Sequence, residues 1–350
     1  MVTAEETGIE GFEGQKVAGR KVRTYRLANN TGIECILMNL GPTLLSLRVP
    51  DAEGNVDDVL LGYPALDGYV NDASYQGRVA VGRWANRISG AHYFDNDIHD
   101  VIELIPNDGI HTLHGGSKGW SKKTWKVEGY GSPEEGAFVE FSLQSKNGDQ
   151  GFRGIVNARV IVTLTQDNEL KFEYLATTPF GETPVNLAFH GYFNLDGIRF
   201  GSSVLNHNLR TNTDRHLTVD GDLIPDGDIL SVDGTRFDFK EMKKIGTTSS
   251  FGQTGYDNCL VFPTGVEGKV EVYSPETGRV MTMTTDQPAV QLYTGFFLKD
   301  PFQQFGGMCL EAQQLVNSLN MSQWWEEFGN PFIKPRVPYK QTTTYKFDVR

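Results

Sequence analysis

Hydrophobic and polar residues alternate along much of the chain with a period of two, which is the spacing of a β-strand buried on one face. Residues 158–164 and 170–177 show this pattern on either side of a turn at 166–168. Residues 269–273 and 279–284 flank a second turn in the same way. Each pair of segments therefore predicts an antiparallel hairpin.

The alternation predicts further strands at 125–130, 137–143 and 342–349. Helical spacing is scarce, and the best candidate is a short helix at 322–328 with Ser322 as its N-cap. Glycine is frequent, at 39 of 350 residues, and turn signals recur along the whole length of the chain. Many short strands joined by turns are typical of an all-β protein.

The expected architecture is one large antiparallel β-sandwich that spans residues 1–350 as a single domain. All-β folds can reach this size as one unit, since a long chain can bury a large core. No low-complexity linker or block of charge divides the chain. A two-domain β protein is the alternative.

The net charge and the lengths of the apolar runs exclude several classes of function. Lysine and arginine number 32 and aspartate and glutamate 44, which gives a formal net charge of −12. Nucleic-acid binding needs a basic face, so this acidic chain is not expected to bind nucleic acid. No apolar run approaches the ~18 residues of a membrane span, and the acidic N-terminus lacks the apolar segment of a secretory signal.

The three cysteines, Cys35, Cys259 and Cys309, are too scattered for a disulfide framework or a CxxC metal site. We therefore expect a cytoplasmic protein that is a monomer or weak dimer and has no membrane or nucleic-acid partner.

Two ionisable residues stand out because each lies in an apolar stretch, a placement that costs free energy unless the group is hydrogen-bonded or used. His190 lies between Leu-Ala-Phe and Gly-Tyr-Phe. It is either a core histidine bonded to a backbone carbonyl or a general acid, because imidazole titrates nearest neutral pH. Glu311 lies between Leu310 and Ala312. It is either a strand residue facing water or a buried carboxylate with a raised pKa.

Other polar residues occur beside glycines. His114 precedes two glycines, which permit a sharp turn or the close approach of a ligand. Asn86 and Arg87 lie in the run Gly-Arg-Trp-Ala-Asn-Arg-Ile. In a regular strand Arg83 and Arg87 would share one face. An arginine fork binds sugar hydroxyls and carboxylates well. A surface turn or an edge strand would explain the same residues without any function.

A further strand places Gln291 and Tyr293 on one face, which suits the polar wall of a cleft. Asp257 follows a Gly-Tyr pair and belongs either to such a wall or to a turn. The histidines show no HxH, HxxxH or HExxH spacing for a metal, and no GxGxxG motif occurs. Taken together, these polar residues on a β scaffold suggest a sugar site.

The segments that carry these residues resemble the aldose 1-epimerases, also called galactose mutarotases. Six runs occur in the family's order across residues 80 to 320, approximately. They are GRWANRI at 82–88, LHGG at 113–116, TPVNLAFHGYFNL at 183–195, GYDNC at 255–259, QLYTGFF at 291–297 and CLEAQ at 309–313.

This resemblance implies a galactose mutarotase-like supersandwich with an open cleft that binds a monosaccharide. It also implies the interconversion of α and β anomers by ring opening and closing, without a metal or an organic cofactor. Glu311 matches the family's general base, His190 its general acid, and His114 the second histidine beside the ring oxygen. The matching sugar-binding positions are Asn86, Arg87, Asp257 and Gln291.

The chain departs from the family pattern at Phe189, Gly191 and Phe296, where the family has Asn, Ser and Asn. These changes predict an altered set of hydrogen-bond partners for the sugar. Trp84, Trp120 or Phe297 could stack on the apolar face of the sugar, although core packing is the commoner use of an aromatic ring.

Three alternatives remain open on the same fold. The chain could be a catalytically silent carbohydrate-binding protein, or an epimerase for a modified sugar or another cyclic hemiacetal. A hexose-phosphate epimerase would need a cluster of basic residues at the rim of the cleft.

Overall fold

The protein is described by a computed structural model over residues 2–12, 14–198, 202–246 and 255–350. Its first eighteen strands are β1 Thr3–Thr7, β2 Lys16–Val17, β3 Arg20–Lys21, β4 Thr24–Ala28, β5 Glu34–Met38, β6 Thr43–Pro50, β7 Val56–Asp58, β8 Arg78–Val81, β9 Arg87–Ile88, β10 His92–Asp95, β11 Asp100–Glu103, β12 Thr112–Leu113, β13 Lys126–Gly131, β14 Ala137–Ser145, β15 Val156–Leu164, β16 Glu169–Thr177, β17 Thr183–Pro184 and β18 Ala188–His190. The later strands are β19 Asn208–Thr211, β20 Arg215–Val219, β21 Pro225–Ser231, β22 Lys243–Lys244, β23 Asp257–Val261, β24 Gly268–Tyr273, β25 Arg279–Thr285, β26 Ala289–Tyr293, β27 Cys309–Gln313, β28 Phe332–Ile333 and β29 Tyr339–Val349.

Helices are short in the described residues. The α-helices are α1 Leu66–Asn71 and α2 Trp325–Phe328, and the 3-10 turns are Ser89–Ala91, Trp120–Lys122, Val204–Asn206, Ser318–Asn320 and Ser322–Trp324. No helix in this part of the chain has both the length and the apolar character that crossing a membrane would require.

One layer of the molecule is a nine-stranded antiparallel sheet in the order β13-β14-β15-β16-β29-β25-β24-β19-β22. The alternation seen in the sequence is visible in β16, where Leu170, Phe172 and Tyr174 are buried and the residues between them are partly exposed. These buried side chains form one wall of the core.

The opposite layer combines two sheets. A seven-stranded sheet has the order β1-β4-β5-β6-β8-β18, with β7 paired to β6, and a five-stranded sheet has the order β21-β20-β23-β26-β27. The two are joined beyond β18 by reciprocal backbone hydrogen bonds between Phe193 and Met308, at 2.8 and 2.9 Å. One apolar core lies between the layers, with members such as Leu47, Phe172 and Leu310 drawn from all three sheets.

The prediction of an all-β antiparallel sandwich is confirmed. The predicted strands lie within one or two residues of β13 to β16, β24 and β25, whereas β29 begins three residues earlier than predicted. The prediction of an N-cap at Ser322 was wrong. Ser322 is itself the first residue of a 3-10 turn that leads into α2, and no side chain caps that turn. Residues 82–88 do not form one regular strand, since β8 ends at Val81 and β9 begins at Arg87, so the alternation considered for Arg83 and Arg87 does not apply.

Candidate active site

Glu311 is the middle residue of β27 and lies opposite Gln291 on the neighbouring strand β26. Only 2% of its surface is exposed, and its Oε2 atom accepts no hydrogen bond from the described residues. Burial raises the pKa of Glu311 well above its usual value, the Asp257 carboxylate raises it further, and Arg87 opposes the shift. A buried carboxylate with an unused oxygen is suited to accept a proton.

Asp257 opens β23 and is held by a neighbouring strand. The Gln291 side chain donates from Nε2 to Asp257 Oδ1 at 2.7 Å. Burial raises the pKa of Asp257, whereas this hydrogen bond and the charge of Arg87 lower it. Gln291 therefore fixes the direction of the Asp257 carboxylate beside Glu311.

His190 ends β18, where the pairing with β8 shifts register. Its Nε2 atom lies 3.7 Å from Glu311 Oε1, and its Nδ1 atom lies 3.5 Å from Cys309 Sγ. Burial lowers the pKa of His190 to about 4, with Asp72 opposing the shift. The imidazole is therefore neutral near pH 7 and lies close to the carboxyl group.

His114 follows β12 and is hydrogen-bonded to Asn86, the residue that precedes β9. The Asn86 backbone N–H donates to the ring atom Nδ1 of His114 at 3.1 Å, and the His114 backbone N–H donates to the Asn86 carbonyl at 3.1 Å. Because Nδ1 accepts, the proton of neutral His114 lies on Nε2, which leaves that N–H to donate to a ligand. Burial lowers the pKa of His114 well below its usual value, and His190 and Arg87 act in the same direction.

The glycines after His114 are required by close packing. Gly115 has φ +78°, and a Cβ there would lie 2.1 Å from the Gly82 carbonyl oxygen. A residue with a side chain would therefore push the loop away from the segment that carries Asn86. The close approach of the loop to Gly82 also lets the Trp120 backbone N–H donate to the Gly82 carbonyl at 2.8 Å.

Arg87 is the charged group on the other side of this site. Its Nε atom donates to Asp108 Oδ2 at 2.8 Å, and its backbone N–H donates to Asn86 Oδ1 at 2.9 Å. The side chain is 16% exposed, so its charge is only partly screened by water. Arg87 lowers the pKa of Glu311 and of Asp257 through this charge.

These residues meet at a cavity of about 390 Å³. The residues predicted from the sequence that line it are Asn86, Arg87, His114, His190, Asp257 and Glu311. Gln291 does not line the cavity, but its side chain is hydrogen-bonded to Asp257, which does. Six of the seven predicted site residues therefore converge, although up to 225 positions separate them in the sequence (311 − 86).

His114, His190 and Glu311 lie close together in the cavity, with one nitrogen or oxygen atom of each within 4.8 Å of the others. Two histidines and a glutamate are also the ligand set of some catalytic zinc sites. The group can therefore perform acid–base chemistry or hold a metal ion.

Comparison with known proteins assigns the family. The family model described as aldose 1-epimerase matches residues 23–346. The chain belongs to the aldose 1-epimerase family. It is 35% identical to the aldose 1-epimerase of Escherichia coli (strain K12), with 94% of this chain and 96% of the relative covered. It is 34% identical to the galactose mutarotase of Homo sapiens, with 95% of each chain covered.

Solved structures agree with the family assignment. An aldose epimerase homologue from C. elegans superimposes with a TM-score of 0.83 at 29% sequence identity, with 92% of this chain and 97% of that chain covered. The predicted resemblance to the aldose 1-epimerases is confirmed, and so is the mutarotase-like fold.

None of the three departures from the family pattern lines the cavity, which corrects the prediction of an altered rim. Phe189 points into the core, with its ring 4.6 Å from the ring of Phe172. Gly191 leaves room for that ring, since a Cβ at Gly191 would lie 2.3 Å from Phe189 Cζ. Phe296 packs on Phe297 and Phe305, and of these three rings only Phe297 lines the cavity.

Of the three aromatic residues considered as stacking partners for a sugar, two have the commoner role in core packing. Trp84 and Trp120 are 0% and 1% exposed and belong to the hydrophobic core clusters. Phe297 is 61% exposed and lines the cavity. Arg83 is likewise structural, since it is buried and donates to the Ser145 hydroxyl and to backbone carbonyls.

Sequence reasoning missed an aromatic wall around the histidines. The Tyr75 ring lies 4.5 Å from that of His114 and 5.7 Å from that of His190, and the Tyr192 ring lies 5.1 Å from His190. The sequence contained a signal for Tyr192, because it is two positions after His190 and strand alternation favours the same face. The sequence contained no signal for Tyr75, since this residue lies in an irregular loop with φ 57°. Tyr293 lines the cavity, as its predicted face indicated.

Proposed function

We propose that the chain is an aldose 1-epimerase that interconverts the α and β anomers of an aldohexose in this cavity. The observation that carries the proposal is the convergence of His114, His190 and Glu311. Opening and closing a hemiacetal ring needs one group that removes a proton and one that donates a proton. The names of the Escherichia coli and human relatives, aldose 1-epimerase and galactose mutarotase, support the same reaction.

In the proposed mechanism the Glu311 carboxylate takes the proton from the C1 hydroxyl, while His190 gives a proton to the ring oxygen. The bond between C1 and the ring oxygen breaks, and C1 becomes an aldehyde carbon. Rotation about the C1–C2 bond presents the other face of the carbonyl, and the reverse transfers close the ring as the other anomer. Each positioned acid or base contributes about 10²–10⁴-fold to such a rate.

One proton serves both groups in the free protein. Burial raises the pKa of Glu311 and lowers the pKa of His190 to about 4, so the proton rests on the carboxyl group. Its transfer to His190 Nε2, which is 3.7 Å from Glu311 Oε1, creates the base and the acid together. The attraction between the resulting charges offsets part of the cost of forming them in a buried site.

The other residues bind and orient the sugar. His114 offers its Nε2–H to the ring oxygen, where negative charge develops as the C1–O bond breaks. Asn86, Arg87 and Asp257 provide donors and acceptors for sugar hydroxyls from the cavity wall. Gln291 acts through Asp257, because its amide is already bonded to that carboxylate.

The mechanism uses no metal and no organic cofactor, and the absence of both stays a prediction. It is checked by assaying the protein after treatment with a chelator, which should leave the rate unchanged. The single domain, the monomer or weak dimer and the cytoplasmic location also stay predictions.

A silent sugar-binding protein is the second candidate. The buried pair of His190 and Glu311 favours the enzyme, because holding both groups in an apolar site costs free energy that simple binding would not require. The preferred sugar can still differ from galactose, or can be a modified sugar or another cyclic hemiacetal.

Replacement of Glu311 by glutamine tests the proposal. Glu311→Gln keeps the size of the side chain but cannot accept the proton, so kcat should fall by about 10²–10⁴-fold with little change in sugar affinity. Polarimetry with galactose, glucose and a small set of aldoses measures the rate and the preferred sugar. Glu173→Gln on the distant strand β16 is the matched control and should keep the wild-type kcat.

The same preparations separate catalysis from folding. His190→Asn should lower kcat to a similar extent, and the double variant should lose much less than the product of the two effects, because both groups act in one proton exchange. A structural role of Glu311 would instead lower the melting temperature. A Glu311→Gln protein that melts normally and keeps more than about a tenth of the wild-type kcat would show that Glu311 is not the base.

A further inference from the structure

A second cavity, of about 610 Å³, is lined by basic residues in a protein whose net charge is −12. It is formed by three segments that are distant in sequence: residues 18–20, 118–124 and 143–150. Its charged residues are Arg20, Lys118, Lys122, Lys123, Lys146 and Asp149. The lining therefore carries five positive charges and one negative charge, whereas the whole chain has more acidic than basic residues.

Contacts between the three segments hold the cavity in shape. Gln150 Oε1 accepts a hydrogen bond from the Lys118 backbone N–H at 2.9 Å. Lys123 Nζ lies 2.5 Å from both oxygens of Asp149, and Arg20 donates to the Thr124 carbonyl at 3.0 Å. The one acid in the lining is thus already neutralised by Lys123.

Two ammonium groups remain without a partner. Within the part of the chain that the structure describes, no hydrogen bond or ion pair is made by the side chains of Lys118 and Lys146, which are both exposed. Lys122 donates from Nζ to the Asp72 carbonyl, and burial together with the charge of Arg78 lowers its pKa to about 8. A bound anion would relieve the repulsion among these charges and would favour the charged form of Lys122.

This basic cavity is separate from the catalytic cavity. The two share no lining residue. Lys122 lies between them, because its Nζ atom bonds to Asp72 and lies 5.9 Å from the centre of the Tyr75 ring, and both of these residues line the catalytic cavity. The basic cavity is therefore not part of the wall that surrounds Glu311.

We propose that the basic cavity is a second binding site, which takes a small molecule that carries a phosphate group. Lysine ammonium groups bind phosphate as point charges, and several of them around one concave site increase its affinity. The volume exceeds what a bare phosphate needs, and the aliphatic side chains of Ala18 and Leu143 line it, which suits an organic phosphate. Long polyanions are disfavoured, because the net negative charge of the protein repels them outside the cavity.

Isothermal titration calorimetry at low ionic strength tests the proposal. Glycerol 3-phosphate and inorganic phosphate are the probes, since neither contains a sugar ring, and saturating galactose is present to fill the catalytic cavity. Lys118→Gln combined with Lys146→Gln removes the two unpartnered charges. The matched control is Lys269→Gln with Lys340→Gln, which removes two exposed lysine charges outside the cavity.

We expect the wild-type protein to bind both probes, with glycerol 3-phosphate the tighter of the two. The Lys118/Lys146 variant should bind at least about tenfold more weakly, whereas the control should differ by less than about twofold. Mutarotation without phosphate should be unchanged in both variants. Glu311→Gln should keep the wild-type anion affinity, so a failure of the proposed catalytic function would not be mistaken for a failure of this site.

Three results would overturn the proposal. One is the absence of binding of either probe up to about 10 mM. Another is an equal loss of affinity in the Lys118/Lys146 variant and its control, which would mean that only the overall charge matters. The third is a long polyanion, such as heparin or single-stranded RNA, that binds through Lys118 and Lys146 while the small phosphates do not.

Discussion

At the scale of single residues, the proton shared by Glu311 and His190 sets the pH dependence of the proposed reaction. In the active form the pair holds one proton, and this proton is lost as the pH rises through the pKa of Glu311, which burial raises well above the usual 4.5. The alkaline limb of kcat/KM should therefore have its midpoint above that value. Measuring kcat/KM by polarimetry from acid to alkaline pH checks this, and a rate that never falls as the pH rises would contradict it.

A neighbouring residue gives the control for this pH dependence. Asp257 raises the pKa of Glu311 through its negative charge. Asp257→Asn should therefore move the alkaline limb to lower pH, whether or not it changes KM. A change in KM without a shift of the limb would assign Asp257 to sugar binding alone.

The sequence indicated most of the predicted residues that line the cavity, because a lone ionisable group in an apolar strand is rare unless it is used. It did not predict that Gln291 serves Asp257, since a side-chain hydrogen bond depends on a neighbouring strand. The prediction for Phe189 failed for a reason visible in the sequence. Adjacent strand residues point to opposite faces, so a residue next to His190 cannot flank it in the cavity.

At the scale of elements, the packing of Phe189 in β18 limits which residue can occupy position 191. The Phe189 ring packs between Phe172, Phe193 and Tyr345 and occupies the space that a Cβ at Gly191 would need. Gly191→Ala should therefore destabilise the fold by about 1–3 kcal/mol, the usual cost of overpacking. Urea unfolding measures this cost, and Gly129→Ala on β13, where no atom lies within 4 Å of the new Cβ, is the control.

A double-mutant cycle isolates the contact. In a Phe189→Leu background the smaller side chain leaves space, so Gly191→Ala should cost clearly less than it does in the wild type. An equal cost in both backgrounds would mean that the destabilisation does not come from the ring.

Elements with a long alternating pattern, such as β14, β15 and β16, could be predicted from the sequence to within one or two residues. The site itself lies where this pattern ends. His190 ends a three-residue strand, and Asn86 and His114 have φ values of 64° and 51° in the loops beside β9 and β12. Their positions depend on backbone contacts between loops, such as the approach of Gly115 to Gly82, which no periodicity encodes.

At the scale of the whole molecule, the two chain ends belong to the same core. Val2 and Phe347 are both members of the large core cluster, which contains side chains from all three main sheets. The last strand, β29, lies inside the nine-stranded sheet and is hydrogen-bonded to β16 on one side and β25 on the other. Removing it would divide that sheet into two parts and expose the core.

We therefore propose that the whole chain folds as one domain and unfolds in one cooperative transition. Differential scanning calorimetry should give a single peak whose calorimetric and van't Hoff enthalpies agree. A chain that ends before Tyr339, and so lacks β29, should fail to fold, because neither β16 nor β25 would then have a partner on that side. Two separate peaks, or a truncated chain that still melts cooperatively, would instead show that the sandwich consists of two units that fold independently.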